Sequence, residues 1–262
     1  MNNCRLYGKP PYITALVHGG PGAPGEMAPV ARELSKSFGV MEPLQTEYTL
    51  DGQVEELRTV IEKYADGSIV LAGHSWGAML GFILTARHPS LVKKLILIGC
   101  GPIEAEYAEQ ILPARMKRLS EGEQDELLWV LDNIANPVEK DRSAMLQRLG
   151  ELAGKADSYS PVPHTNEVMA CNGAQFAGVW NEVAALRNRC RFSSLAYKIK
   201  CPVVAIHGDS DPHPIDGIRI PLEIKLKDFR MIILDKCGHT PWIEEYAAER
   251  FYEILNEECV RE

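Results

Sequence analysis

A serine stands between two glycines in the run Gly73-His74-Ser75-Trp76-Gly77. Four apolar residues precede this run and a helical pattern follows it, which is the strand-turn-helix context in which a G-x-S-x-G turn exposes a nucleophile. The turn is sharp and strained, so a side chain two residues before or after the serine would crowd the neighbouring elements. The pattern therefore predicts Ser75 as a nucleophile.

A serine hydroxyl needs a base to take its proton, so a histidine and an acid are expected further along the chain. His239 follows the last predicted strand and precedes the last predicted helix, where a loop can aim an imidazole at the carboxyl edge of a sheet. We predict His239 as the general base in preference to the other six histidines.

Acid candidates lie in the loop after the preceding predicted strand. We favour Asp211 over Asp209, because Asp209 directly follows Gly208, where an acid more often accepts hydrogen bonds from the N–H groups of a local turn. Glu104, which follows an earlier predicted strand, is a third candidate.

The oxyanion of a tetrahedral intermediate needs backbone N–H donors. Trp76, directly after the serine, is one candidate. The run 18–22, His-Gly-Gly-Pro-Gly, follows an apolar strand pattern, and its glycines let the backbone approach a substrate closely. We assign the second donor to Gly20, with Gly19 as the alternative.

The composition argues against nucleic acid as a partner, and the partner that we expect is a small-molecule or short-peptide substrate. The 262 residues include 28 basic and 36 acidic side chains, a formal net charge of -8, and no Lys/Arg-rich run, so nucleic acid is not an expected partner. The start lacks the apolar run of a signal peptide, and no segment reaches the ~18 apolar residues of a membrane helix. We expect a cytoplasmic protein that does not bind membranes, of undetermined oligomeric state.

Metal and cofactor sites are not indicated. The seven cysteines are scattered without a C-x-x-C pair, which favours reduced thiols. No histidine or cysteine cluster has zinc-site spacing, and the run Asp209-Ser210-Asp211 lacks the remaining positions of a calcium loop. We therefore expect neither a metal ion nor a cofactor.

The apolar patterns predict a mostly parallel sheet of about six strands with helices on both faces, the α/β class. Most of these runs are apolar throughout, which is typical of strands buried on both faces. The predicted strands are 12–18, 40–46, 68–73, 94–100, 202–208 and 229–235. The predicted helices beside them are 27–38, 52–64, 75–88 and 241–256.

Residues 104–198 contain helical patterns, at 123–134, 142–154 and 166–187, and no convincing strand. Because loops beyond ~15 residues usually carry structure of their own, we predict a helical cap inserted into a core domain of residues 1–103 and 199–262. Its apolar side chains are expected to divide between helix packing and the roof of a pocket. Examples are Ile111, Leu128, Phe176, Val179 and Trp180.

These features together resemble the α/β-hydrolase superfamily. The run 18–22, with a tryptophan directly after the nucleophile, is similar to the proline iminopeptidase branch, whose members remove N-terminal residues from small peptides. The resemblance implies a triad of Ser75, Asp211 and His239, with Gly20 and Trp76 as oxyanion donors.

Three features depart from that branch. About eleven residues precede the strand pattern at Tyr12, too few for the two-strand hairpin that opens the fold, so a reduced sheet is expected. His213 lies next to the acid loop, where it either shapes the pocket or faces solvent. Members of the branch hold the substrate's free amine with cap glutamates, and Glu182 is the nearest parallel here.

The expected function is that of a serine hydrolase that cleaves an ester or amide bond of a small substrate through an acyl-enzyme, with the resemblance pointing to an aminopeptidase-like activity. A carboxylesterase and a non-catalytic small-molecule-binding protein of the same fold are alternatives, and a cofactor-free lyase is a third. Dehalogenases and epoxide hydrolases of this fold use an aspartate nucleophile, against which Ser75 argues.

Overall fold

A seven-stranded sheet forms the centre of the computed structural model, which describes residues 3–165, 167–188 and 191–261. The strands are β1 Cys4–Tyr7, β2 Tyr12–Val17, β3 Gly39–Pro43, β4 Ile69–His74, β5 Val92–Ile98, β6 Val203–Gly208 and β7 Phe229–Leu234. Their order is β1-β3-β2-β4-β5-β6-β7, and every neighbouring pair except β1 and β3 is parallel. Each of the six predicted strands is present.

The expectation of about six strands missed β1, which pairs antiparallel with β3 at the edge of the sheet. An edge strand needs only one partner, so four residues suffice where a hairpin of two strands would not fit. Glu42 of β3 ties the two strands together, because its Oε2 accepts a 2.7 Å hydrogen bond from Tyr7 and lies 3.5 Å from Nη1 of Arg5. Strand β1 is therefore a short edge strand held by one partner.

The central strands are buried on both faces, as their unbroken apolar runs predict. Alternate residues point to opposite faces. Leu71 and Leu95 belong to the apolar cluster on one face, whereas Val70 and Ile96 belong to the cluster on the other. Full burial of such a side chain contributes about 1.5–3 kcal/mol each to folding, so the sheet is a rigid base for the loops at its carboxyl edge.

Helices cover both faces of the sheet. In chain order they are α1 Ala28–Leu34, α2 Leu50–Tyr64, α3 Trp76–Arg87, α4 Ala105–Ala108, α5 Ile111–Met116, α6 Glu121–Asn133, α7 Arg142–Asp157, α8 Gly173–Asn188, α9 Arg191–Ser194, α10 Asp216–Lys225 and α11 Ala248–Val260. Helices α2, α3 and α10 contribute to one apolar cluster, and α1 and α11 to the other. The helix predicted at 241–256 is instead a 3-10 turn, Pro241–Ile243, followed by α11.

Helices α4 to α9, termed the cap helices below, lie between β5 and β6 in the chain. The described residues of 104–198 form no named strand, and α6 and α7 pack on each other through an apolar cluster of their own that includes Leu127, Leu149 and Leu152. Helix α8 begins at Gly173, later than the predicted 166, and Asn166 itself lies outside the described residues. The division into two domains stays a prediction.

None of the helices in the described ranges combines the length and the apolar character that crossing a bilayer requires. Six cysteines have free thiols, of which Cys4, Cys100, Cys237 and Cys259 are buried. Cys190 lies outside the described residues.

The tight turn between β4 and α3 leads us to predict that Gly77 is needed for stability. A Cβ at Gly77 would overlap the carbonyl oxygens of Val17 and His18, which are backbone atoms that cannot rotate away. We expect Gly77→Ala to lower the free energy of unfolding by about 1–3 kcal/mol, measured by urea denaturation. The control is Gly122→Ala in α6, where a Cβ meets nothing within 4 Å. It should be neutral or stabilise by up to about 1 kcal/mol, and equal losses in the two variants would contradict the assignment.

Candidate active site

Ser75 occupies the turn between β4 and α3 with φ of 51° and ψ of -111°, a backbone conformation that is rare for a residue with a side chain. Strain of this kind costs about 1–3 kcal/mol and persists only where the surroundings enforce it. Here the N–H of Ser75 donates to the carbonyl of Ile98 at 2.8 Å, and Gly73 and Gly77 leave no room for a Cβ. The sheet and helix thus hold the half-buried serine in a strained conformation.

Ser75 lines a cavity of about 1450 Å³ between the carboxyl edge of the sheet and the cap helices. The predicted oxyanion donors Gly20 and Trp76 and the predicted base His239 line the same cavity. The structure therefore brings predicted residues from three separate segments of the chain to one place.

His239 and Asp211 form a hydrogen bond of 2.7 Å between Nδ1 of the histidine and Oδ2 of the acid. Burial alone would raise the pKa of Asp211, but the neighbouring histidines outweigh it and hold the pKa well below its ordinary value. Burial alone would lower the pKa of His239, but the Asp211 carboxylate outweighs it and the pKa is raised. An ionised carboxylate only accepts, so the imidazole proton lies on Nδ1 and Nε2 is left to accept another.

The other two acid candidates have different partners. Oδ1 of Asp209 accepts hydrogen bonds from the backbone N–H of Cys237 at 3.2 Å and the hydroxyl of Ser210 at 3.0 Å, the turn role expected for it. Glu104 lies 3.4 Å from the ammonium of Lys225. The carboxylates of both acids are thus engaged elsewhere, whereas that of Asp211 bonds to His239.

His213 binds the same carboxylate as His239, and the sequence left its role open. Its Nδ1 and its backbone N–H lie 2.7 and 2.9 Å from Oδ1 of Asp211. Its ring stacks on that of His239, with centroids 4.2 Å apart and planes 19° apart. Burial, followed by the charge of His239, lowers the pKa of His213 to about 4 against the pull of Asp211. His213 therefore shapes the pocket as a neutral ring instead of facing solvent.

Glu26 and His74 connect two loops. One is 18–22, termed the oxyanion loop for its predicted role, and the other is the loop after β7 that carries His239, termed the histidine loop. No sequence signal singled out Glu26 and His74 for this contact. Oε1 of Glu26 accepts a hydrogen bond of 2.6 Å from the N–H of Gly19 and lies 2.5 Å from Nδ1 of His74. The other ring nitrogen of His74 lies 3.0 Å from the carbonyl of His239. His74 outweighs the effect of burial and lowers the pKa of Glu26, so the carboxylate stays ionised.

Cap helices α5 and α7 hold the loops that carry the acid and the base. The carbonyl of Asp157 accepts a 2.8 Å hydrogen bond from the N–H of His239, while its carboxylate accepts two from Arg115, at 2.7 and 2.5 Å. Arg118 donates to the carbonyls of Ala156 and Ser210 at 2.9 and 2.8 Å. The end of α7 is therefore part of the support of both loops.

Asp157, His213 and His239 bring one possible metal-ligand atom each to within 4.8 Å of one another. Both oxygens of Asp157 already bond to Arg115, and Nδ1 of each histidine already bonds to Asp211. These hydrogen bonds account for the cluster as part of an acid–base network.

Glu182, predicted to hold a substrate amine, is not among the residues that line the cavity. It is exposed on α8, and its Oε2 accepts a 2.7 Å hydrogen bond from the N–H of Leu50 at the start of α2. A helix N-terminus favours such an anion. The structure therefore does not bring Glu182 to the other site residues.

The predicted roof residues separate into three groups. Ile111, Phe176 and Trp180 line the cavity, and Val179 is fully buried in the core. Leu128 does not line the cavity and 40% of it is exposed, so the structure does not place it in the roof of the pocket.

The fold and the site define a class. Residues 16–246 match the model of the alpha/beta hydrolase fold family, and the chain belongs to that family. The matched segment contains Ser75, Asp211 and His239.

Relatives and solved structures agree with this membership. The chain is similar to the proline iminopeptidase of Lactobacillus delbrueckii subsp. lactis, with 26% identity over 97% of this chain and 92% of that protein. It is also similar to Mus musculus epoxide hydrolase 4, with 31% identity, but over only 29% of this chain and 21% of that protein. The crystal structure of VinJ shares the fold with a TM-score of 0.67 and 19% identity, over 98% of this chain and 95% of that one.

The Asp211–His239 pair makes a prediction about pH. The predicted base acts as a neutral imidazole, so we expect kcat/KM to rise with pH through the raised pKa of His239, above the ordinary value of 6.5. Asp211→Asn removes the negative charge, so we expect this acid limb to move to lower pH and the maximal rate to fall on the order of 10³- to 10⁴-fold. The control Asp209→Asn should keep the limb in place. A larger loss of rate in Asp209→Asn than in Asp211→Asn would show that Asp211 is not the orienting acid.

His213 makes the opposite prediction. His213→Phe keeps an aromatic ring beside His239 but removes the ring hydrogen bond to Asp211. The carboxylate then keeps more of its charge for His239, whose pKa should rise, and the acid limb of kcat/KM should move to higher pH. A limb that does not move, or that moves downward as in Asp211→Asn, would show that the Nδ1 bond of His213 does not tune the acid.

Proposed function

We propose that the chain is a serine hydrolase that cleaves an ester or amide bond of a small substrate through an acyl-enzyme, with Ser75 as nucleophile, His239 as general base and Asp211 as the orienting acid. The observation that carries the proposal is the 2.7 Å bond between Asp211 and His239, which leaves Nε2 of His239 to accept a proton in the cavity that Ser75 also lines.

The proposed reaction has two halves. Nε2 of His239 takes the hydroxyl proton while the oxygen of Ser75 attacks the carbonyl carbon of the substrate. The tetrahedral intermediate then expels the alcohol or amine, which receives the proton from His239. A water molecule attacks the acyl-enzyme by the same route, His239 returns the proton to Ser75, and the carboxylic acid is released.

The backbone N–H groups of Gly20 and Trp76 are the proposed donors to the oxyanion. Both residues line the cavity together with Ser75, which supports this assignment. Gly19 is the weaker candidate, because its N–H already donates to Glu26 at 2.6 Å. Donors fixed by the backbone need no reorganisation as charge develops on the oxygen, and each contributes about 3–4 kcal/mol to such reactions.

An aminopeptidase-like activity is the second candidate, favoured by the resemblance to the Lactobacillus enzyme over nearly the whole chain. The charges of the cavity favour an ester or amide without a free amine, because the carboxylates that line it are already paired. These pairs are Glu26 with His74, Glu151 with Arg148, Asp157 with Arg115 and Glu167 with Arg32.

A fluorophosphonate probe tests the nucleophile. We expect the parent protein to be labelled and Ser75→Ala to be unlabelled with an unchanged melting temperature, because the hydroxyl is needed for attack and hardly for packing. Labelled peptide mapping by mass spectrometry checks the site. Equal labelling of the two proteins would remove Ser75 from the mechanism, and an unlabelled parent would favour the non-catalytic binding protein.

A substrate panel separates the two candidate activities. p-Nitrophenyl esters of graded acyl length should be hydrolysed, and aminoacyl arylamides with a free amine should be poor substrates, because the described residues of the cavity offer the amine no unpaired carboxylate. Faster cleavage of the arylamides than of the esters would support the aminopeptidase reading instead.

A further inference from the structure

Arg187, in the last turn of α8, lines the cavity that contains Ser75. Its Nε donates to the carbonyl of Pro102 at 3.0 Å, and its Nη2 lies 3.8 Å from the sulfur of Met79. A guanidinium has five N–H donors, and no other acceptor within the described ranges bonds this one. Three donors therefore remain for a ligand.

The other cations along the cavity wall have acidic partners, and Arg187 has none among the residues that the structure describes. The partnered cations are Arg32 with Glu167, Arg115 with Asp157 and Lys155 with Glu123. Burial lowers the pKa of Arg187 from its ordinary value, because desolvation disfavours the charged form. Without an acid of the protein beside it, this cost is offset when a bound molecule supplies the negative charge.

The guanidinium lies close to the proposed reaction centre. Met79, which it contacts, is one helical turn beyond Ser75, about 5.4 Å along the axis of α3, and its N–H donates to the carbonyl of Ser75 at 3.3 Å. Pro102 follows β5, the strand paired in parallel with β4, at the same edge of the sheet as the serine. A substrate bonded to Ser75 therefore shares the cavity with Arg187, and a second functional group of that substrate can be directed at the guanidinium.

Resting on the proposed function, we propose that Arg187 binds a carboxylate of the substrate, so that the enzyme prefers esters or amides that carry an anionic group besides the bond that is cleaved. The planar fork of a guanidinium matches a carboxylate, and charge-assisted pairs of this kind are strong and directional. The paired carboxylates elsewhere in the cavity agree with a ligand that is negative instead of positive.

A purely structural role for Arg187 makes a different prediction. Its bond to Pro102 docks the end of α8 on the loop after β5, and loss of that bond would lower stability and the turnover of all substrates alike. A binding role lowers turnover selectively for anionic substrates. The ratio of two kcat/KM values separates the two roles, because a general loss cancels in it.

The test uses matched pairs of substrates on the parent enzyme and Arg187→Gln. One pair places the charge on the acyl side, as p-nitrophenyl hydrogen glutarate against p-nitrophenyl pentanoate, and the other on the leaving group, as 4-carboxyphenyl butyrate against phenyl butyrate. For at least one pair we expect the charged-to-neutral ratio of kcat/KM to fall about 10- to 100-fold in Arg187→Gln, the loss of one or two charge-assisted hydrogen bonds. Arg187→Lys keeps the charge without the planar fork, so its charged-to-neutral ratio of kcat/KM should lie between those of the parent and Arg187→Gln.

Arg32→Gln is the matched control, because Arg32 also lines the cavity but is already paired with Glu167. Its ratios should equal those of the parent. Equal ratios in the parent and Arg187→Gln for both substrate pairs would overturn the proposal, and so would an equal fall in Arg32→Gln, which would indicate general attraction of anions.

A binding measurement keeps this inference separate from the proposed catalysis. Two pairs of esters are titrated calorimetrically into Ser75→Ala and into Ser75→Ala with Arg187→Gln: monomethyl glutarate against methyl pentanoate, and 4-carboxyphenyl butyrate against phenyl butyrate. For at least one pair, the inference requires tighter binding of the anionic ester and at least about a tenfold loss of that preference in the double variant. If the fluorophosphonate probe does not label the parent enzyme but the binding preference depends on Arg187, the serine mechanism is rejected and the anion site is kept. If the parent enzyme is labelled but shows no such preference, the serine mechanism is kept and the anion site is rejected.

Discussion

The buried carboxylate of Asp211 has to be paired, because an uncompensated charge in the interior costs free energy comparable to the net stability of a whole domain. Its two oxygens accept hydrogen bonds from His213 and His239, with His207 3.4 Å from the second oxygen. The loops after β6 and β7 must therefore keep a fixed separation, which the paired parallel strands beneath them supply. The tautomer of His239 and the direction of its second nitrogen both follow from this one arrangement.

The loops at the edge of the sheet receive a second layer of support from the cap helices. The carbonyl of Asp157 accepts a hydrogen bond from the N–H of His239, and its carboxylate accepts two from Arg115. One residue therefore couples the end of α7 to the histidine loop and to α5. On the opposite side, Glu26 and His74 couple the oxyanion loop to the same histidine loop. The backbone of His239 is thus restrained by hydrogen bonds to Asp157 and to His74.

Strands β2 to β7 could be predicted because each is a local apolar run, and Ser75 could be predicted because its turn demands glycines at fixed spacing. Strand β1 could not, since four edge residues carry no periodic pattern and pair through Glu42, far along the chain. Glu26 and Arg115 join partners 48 and 42 residues away, and no spacing signals such contacts. Glu182 illustrates the converse: its residue type suited an amine, but the fold places its carboxylate at the start of α2.

The end of α7 and the length of α8 should differ in their tolerance to substitution. At the end of α7, Asp157 holds the histidine loop, so an altered side chain there disturbs the chemistry for every molecule that enters the cavity. Along α8, Phe176, Trp180 and Arg187 meet the cavity without any hydrogen bond to His239 or Asp211 within the described part of the chain. Substitutions along α8 can therefore change which substrates the cavity accepts and leave the contact between Asp211 and His239 in place. Directed evolution of selectivity has its most permissive starting points on that helix.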